Sequence, residues 1–265
     1  MTAASTARRL PVRPAGLIPL GLAVLLLLTA IAYPLASGGG RDAVTWAIVL
    51  LGAALSVAHA TASRGLRTGA GLLALVVAVA VAFEAVGLAT GVPYGRYTYA
   101  ETLGPTLFGV PLLVPLAWLM MAWPSWVVAA RLIGDGGHRL ARIAVAAGVF
   151  AAWDVVLDPQ MVQAGYWTWA DPTPGLPGID TVPLTNLAGW LLAGLVLMAL
   201  LDGLVERTAG PRRTGDAPVL LAIGWMVLGG ALAHAGWLGL PGSAAWGAAL
   251  GLPVAALLAL RARRG

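Results

Sequence analysis

The chain has no cysteine, so disulfides, thiolate catalysis and cysteine-ligated metals are excluded. It has no lysine either: all 16 of its basic residues are arginine. A lysine Schiff base or a phosphate-loop lysine is therefore impossible. Charge of any kind is scarce. Charged residues make up 10% of the chain against 59% apolar ones, and the mean hydropathy is +0.86. A soluble domain carries roughly a quarter charged residues. The shortage excludes an ordinary water-soluble fold and marks an integral membrane protein. The net charge of +5 does not point to nucleic acid, because the arginines are scattered in short loops and not gathered on one face. The three histidines have no recognisable metal-ligand spacing, and no nucleotide motif is present, so neither a metal nor a cofactor is expected.

What is present in abundance is apolar length. A bilayer core about 30 Å thick needs about 20 helical residues. Runs near 15–36, 43–60, 70–90, 108–130, 140–158, 183–205, 217–239 and 242–261 meet that requirement. The reading is an all-α, polytopic transmembrane bundle forming one membrane domain over 1–265, multi-pass in the cell membrane. The first run could be mistaken for a signal peptide, but it is too long and lacks a clear small-x-small cleavage site. Arginine placement supports eight spans with both termini cytoplasmic. Arg8, Arg9, Arg13, Arg64, Arg67, Arg131, Arg139, Arg142, Arg207, Arg212, Arg213, Arg261, Arg263 and Arg264 then lie inside, and Arg41 and Arg96 outside. Seven spans would scatter them on both sides. The last two spans are closely spaced and joined near Pro241.

In this arrangement the two long loops, 91–107 and 159–182, share the outer side. Both are rich in Gly, Pro, Tyr and Trp. The few polar groups of the spans gather at the same depth: Glu84 in span three, Asp154 and Asp158 at the outer end of span five, Asn186 opening span six and His234 near the end of span seven. The loops add Tyr94, Arg96, Tyr97, Tyr99, Trp167 and Trp169, and Trp153 precedes the first aspartate. Intramembrane ionisable residues are costly and so suggest function. Asp154 and Asp158 are one helical turn apart, hence on one face. Two such carboxylates in low dielectric do not both ionise readily. Asp158 is also expected at a helix C-terminus, before Pro159, where the dipole disfavours negative charge. A neutral acid beside an ionised one suits acid–base chemistry.

Plainer readings exist for each group. Asp158-Pro159 could be a helix-end turn with Asp154 paired to Arg96 or to a backbone amide. Trp and Tyr collect at membrane interfaces without any further role. A lone histidine such as His234 is often a hydrogen-bonded core residue, and His59 and His138, on or near the inner side, carry no assignment. Asp202 and Glu206, near Arg207, read as a solvated ion-pair set. Gly247-x-x-x-Gly251 reads as close helix packing.

Two blocks resemble a known family. Glu84 to Trp118, EAVGLATGVPYGRYTYAETLGPTLFGVPLLVPLAW, is similar to the carotenoid biosynthesis membrane proteins, which include the carotenoid 1,2-hydratases of monocyclic carotenoids and of bisanhydrobacterioruberin. The second block is Trp153-Asp154-x-x-Leu157-Asp158-Pro159, then Tyr166-Trp167-x-Trp169, then Val182-Pro183-x-x-Asn186-x-x-Gly189-Trp190. Together they cover roughly 80–190. The chain departs from the family pattern at Ile179, Asp180 and Thr181, where an aromatic pair and Gly are common, and at Pro93-Tyr94-Gly95, where Pro-Phe-Gly is common. These positions bear on which end group is recognised.

The resemblance implies water addition across the terminal C1–C2 double bond of an acyclic end of a membrane-embedded carotenoid. The residues suit that reaction, with Asp158 as proton donor, Asp154 as its partner (an order that could be reversed) and Glu84 or the second aspartate directing water. Aromatic faces of Trp153, Trp167 or Trp169 could steady the cation by about 0.5–2 kcal/mol each. Another proton-initiated isoprenoid reaction, cyclisation or double-bond migration, uses the same acid without water. A proton-coupled transporter or lipid-binding scaffold is the non-enzymatic alternative.

Overall fold

A computed structural model describes residues 16–134 and 137–264. Arg8, Arg9 and Arg13 lie outside the described residues. Eight helices are long and apolar enough to cross a membrane: Leu17–Leu35, Gly38–Arg64, Leu66–Thr90, Leu113–Ile133, Arg139–Gln163, Leu184–Thr208, Ala217–Leu238 and Pro241–Arg263. The protein is an all-α, polytopic, multi-pass membrane bundle. The helices are α1 (Leu17–Ala32, continued by a 3₁₀ turn to Leu35), α2 (Gly38–Arg64), α3 (Leu66–Thr90), α4 (Leu113–Ile133), α5 (Arg139–Gln163), α6 (Leu184–Thr208) and α9 (Pro241–Arg264). The seventh span is composite. It holds α7 (Ala217–Gly224), a π-helical turn at Trp225–Gly229, α8 (Gly230–Ala233) and a second π turn at His234–Leu238. The expectation of separate seventh and eighth spans is met: Gly239, in the left-handed region at φ 66°, ends one and Pro241 starts the next.

The bundle is arranged around α4, the most buried span, which packs against α2, α3 and α5. α5 and α6 lie side by side and carry the two blocks of polar residues. Gly194 of α6 meets the α5 backbone at Ala147, where an added Cβ would come within 3.3 Å of the carbonyl oxygen. At Gly247 an added Cβ would come within 2.7 Å of Val156, and at Gly251 within 2.7 Å of Leu228. The Gly-x-x-x-Gly pair is thus a close-packing surface, since small residues let membrane helices approach.

Two mid-helix prolines are accommodated by serines on neighbouring helices. Proline lacks the N–H that would bond the carbonyl four residues earlier. Pro124 in α4 frees the Met120 carbonyl, and Ser56 of α2 donates its hydroxyl there at 3.1 Å. Pro159 in α5 frees the Val155 carbonyl, and Ser243 of α9 donates to it at 3.0 Å. This repair corrects the expected end of span five. The helix runs on to Gln163, so Asp158 sits inside it and not at its C-terminus, and the dipole argument does not apply to it.

Ser56→Ala should therefore cost about 1–2 kcal/mol, because a buried carbonyl loses its partner. In a Pro124→Ala background the restored N–H takes over, and the same substitution should cost little. Thermal unfolding in detergent of the four combinations measures this. An equal penalty in both backgrounds would contradict the pairing.

At the end of the bundle opposite the long loops, Asp202 is fully buried. Arg142 donates to both of its oxygens, at 2.6 and 2.9 Å, the Trp126 indole donates at 3.0 Å, and Arg139 lies 3.2 Å away. The expected solvated ion-pair set is in fact built on a buried Asp202–Arg142 pair, with Glu206 (47% exposed) and Arg139 (51% exposed) on its open side. The error has a physical cause: the neutralising arginines come from a different helix, α5, which local spacing in α6 does not reveal. His59, left unassigned from sequence, accepts the Trp123 indole N–H at Nδ1 (2.9 Å). Its Nε2 therefore carries the proton and donates to the Gly215 carbonyl at 3.1 Å, which makes it a satisfied core residue. Nearby, Asp216 pairs with Arg131 and Arg212.

Candidate active site

The two long loops meet. Tyr97–Tyr99 (β1) and Trp167–Trp169 (β4) form an antiparallel ribbon with Tyr97 opposite Trp169 and Tyr99 opposite Trp167. Side chains alternate along a strand. Thr98 and Thr168 accordingly face out, while the four aromatic rings face down over the bundle. The rings contact one another, with Tyr99 edge-on to Trp167 and Tyr97 edge-on to Tyr99. A second small ribbon, β2 (Thr106–Leu107) with β3 (Val110–Pro111), leads the chain into α4.

Beneath this roof lies a cavity of about 880 Å³, counting its open mouth. Its lining is mostly apolar with a few convergent polar groups, as in small-molecule sites. Glu84, Asp158, Asn186, Tyr94, Tyr97, Tyr99, Trp153, Trp167 and Trp169 all line it. The sequence reading missed Trp118, Trp190, Gln160, Met120 and Met161, which also line it. Trp118 and Trp190 close the two blocks of the family resemblance, a signal that was in view but not used. Their rings lie 4.9 Å apart, and Trp153 stands edge-on to Trp190.

Three expected site residues are placed differently. Asp154 is buried behind Asp158 and borders a separate small pocket with Ile179, Val182 and Pro183. Arg96 is exposed on the loop surface, away from the cavity lining and from Asp154. An arginine next to a strand that alternates inward and outward stays in water, where its charge costs nothing. His234 is fully buried but does not line the cavity. Its Nδ1 bonds Ser243 at 2.8 Å and its Nε2 bonds Gln160 at 2.9 Å. The histidine therefore reaches the cavity only through Gln160.

The carboxyl groups are held in detail. The Asn186 amide donates to Asp154 Oδ2 at 2.8 Å and to Asp158 Oδ2 in a still shorter contact. One side-chain amide thus clamps both acids together. The Trp167 indole donates to Asp158 Oδ1 at 3.2 Å, so the ribbon is tied to α5. Glu84 Oε2 accepts from Tyr97 at 2.6 Å and from Tyr99 at 2.8 Å. Burial, reinforced by the Glu84 carboxylate, raises both phenols well above their ordinary range, so they remain donors. Burial and then the same carboxylate raise Tyr94 too. Its hydroxyl and Asp154 Oδ1 are buried without a hydrogen-bond partner among the described residues. Tyr94 needs room: a Cβ on Gly189 would lie 2.6 Å from its ring, and one on Gly87 2.9 Å. Farther out, Tyr166 donates to Asp42 at 2.6 Å, and burial together with that bond pushes its phenol up to about 12.

Among the described residues, no group of three His, Asp or Glu is arranged to hold a metal ion. What the arrangement offers is a carboxyl pair, one member facing an aromatic cavity, opposite a third carboxyl held by two phenols.

Comparison with known proteins gives two matches. A family model described as carotenoid biosynthesis protein matches residues 44–254. Over 157 residues the chain is 34% identical to a bisanhydrobacterioruberin hydratase from Haloarcula japonica, covering 58% of this chain and 52% of that protein. The match thus spans about half the length of this curated relative. No solved structure matches the chain.

Proposed function

The chain belongs to the carotenoid biosynthesis protein family, and from that premise we propose that it hydrates the terminal C1–C2 double bond of an acyclic carotenoid end group. The observation that carries the reading is the Asp158 carboxyl. It faces an apolar, aromatic-walled cavity shared with Glu84, and Asn186 clamps it to Asp154. The name of the Haloarcula japonica relative, a hydratase, supports the same class of reaction.

The chemistry balances without a redox change. Asp158 gives its proton to C2, and the alkene π pair becomes the new C–H bond. C1 is left as a tertiary cation next to aromatic faces, which attract cations. A water oxygen bonds to C1, and its surplus proton goes to Glu84, from which it returns to the aspartate pair. Alkene plus water becomes a tertiary alcohol. Two carboxyls bridged by one amide in an apolar interior do not both carry charge, so the pair holds a proton for delivery. Asp158 is the member that reaches the cavity, and Asp154 acts through it.

A transporter would need a polar path through the bundle. The cavity lining includes none of the ion-paired groups around Asp202 and Asp216 at the opposite end, which favours an enzyme.

Expression in a host that accumulates an acyclic carotenoid tests the reading. The product should gain the mass of one water for each end hydrated. A mass-neutral product would favour isomerisation or cyclisation, and no product at all would overturn the proposal. Glu84→Gln keeps a carbonyl for the two tyrosines but cannot take up a proton. It should lower turnover about 10²-fold with little change in substrate binding, as removing a general base does. Wild-type turnover in this variant would remove Glu84 from the mechanism.

A further inference from the structure

We propose that a groove between α1 and the seventh span is the doorway from the lipid phase and the seat for the polyene chain behind the reacting end. The inference rests on the hydration reading of the inner cavity. A carotenoid is far longer than that cavity, and its rigid, apolar chain must leave through an apolar opening.

The groove has about 800 Å³ of space between Ala30, Ile31 and Leu35 on one side and Leu232, Ala233 and Trp237 on the other. It adjoins the inner cavity, and Tyr33, Ile48, Gln160 and Met226 line both. Its rim is strongly exposed, with Leu35 at 71%, Leu232 at 62% and Trp237 at 60%. These residues belong to membrane-spanning helices, so the rim faces lipid. The seventh span is irregular at this point. Its first π turn brings Gly229, with Gly230 beside it, into the groove wall, where there is no side chain to fill the space. Such turns recur at functional sites. An apolar pocket among α4, α5, α7 and α9, about 550 Å³, shares no lining residue with the inner cavity. The groove is therefore distinguished by its place against the inner cavity and not merely by its apolar character.

The absence of cysteine makes a clean test possible. Ala233→Cys places a single thiol in the groove wall, and Leu195→Cys places one on the exposed face of α6 as a control. After folding and purification, each is capped with a bulky apolar thiosulfonate reagent. Two substrates are compared: a full-length acyclic carotenoid and a short isoprenoid alkene with the same end group. Capping Ala233→Cys should slow the long substrate by about tenfold or more and spare the short one. A reducing agent should restore the rate, and the capped control should be unaffected. Equal rates on the long substrate before and after capping would overturn the proposal, and so would an equal loss on both substrates. Should the uncapped protein hydrate neither substrate, the inner-cavity reading fails separately. The groove is still tested by binding: a fluorophore on the Ala233→Cys thiol should be quenched by added carotenoid more than one on the control, and equal quenching contradicts the doorway.

Discussion

Asp158→Asn should abolish hydrated product. Loss of the proton donor to a reacting carbon removes at least about 10²- to 10⁴-fold of rate, the usual contribution of a positioned general acid. The substitution is nearly isosteric: Asn186 and Trp167 donate to different oxygens of Asp158, so the amide oxygen keeps one of these bonds and the other is lost, a small change against the packing of eight spans. Membrane insertion, yield and helix content should therefore match wild type. Asp154→Asn should also be severe but for another reason: it does not line the cavity, and it acts by keeping a proton on the pair. Asp154→Asn should thus keep a residual turnover whose pH profile differs from that of wild type, because the surviving acid titrates without its neighbour. Unchanged product from both variants would sink the assignment of the acid.

The largest loss of stability is expected at the other end of the bundle. Asp202→Ala removes the acceptor of two hydrogen bonds from Arg142, which is itself buried and also reaches Glu206 at 3.4 Å. Removing one partner of a buried ion pair costs up to about 3–5 kcal/mol, whereas replacing the whole pair with apolar groups is often tolerated. Asp202→Leu combined with Arg142→Met should therefore be more stable than Asp202→Ala alone. The protein that remains folded should keep its turnover per molecule, because the cavity lining includes none of these residues. Thermal unfolding in detergent separates the cases. A small effect for Asp202→Ala would mean that water already reaches the pair.

The spans were legible because apolar length is a one-dimensional signal, and the eight observed helices follow the expected runs. The course of α5 was not. Proline normally ends a helix, and the hydroxyl that compensates for Pro159 comes from Ser243 on another span. The burial of Asp202 was hidden for the same reason, since Arg142 lies 60 residues away in sequence. The polar residues of the candidate site could be gathered to one end by counting spans, and most of them line one cavity. Their separate duties could not be read that way. Asn186 was visible as a polar residue at the right depth, but not as a clamp on both aspartates. The Tyr-Thr-Tyr and Trp-Thr-Trp segments alternate as short strands do, yet each is too brief to stand out until the other is paired with it. Arg96 and His234 were drawn into the site by depth alone. Depth does not tell which face of an element a residue takes, and the structure puts one on the surface and the other behind Gln160.

The most direct measurement uses purified protein, an acyclic carotenoid and heavy water. Protonation by the carboxyl pair followed by water capture predicts a tertiary alcohol at C1 with one non-exchangeable deuterium at C2, and no such product from Asp158→Asn. A product that gains no oxygen, or an alcohol without deuterium at C2, would contradict it.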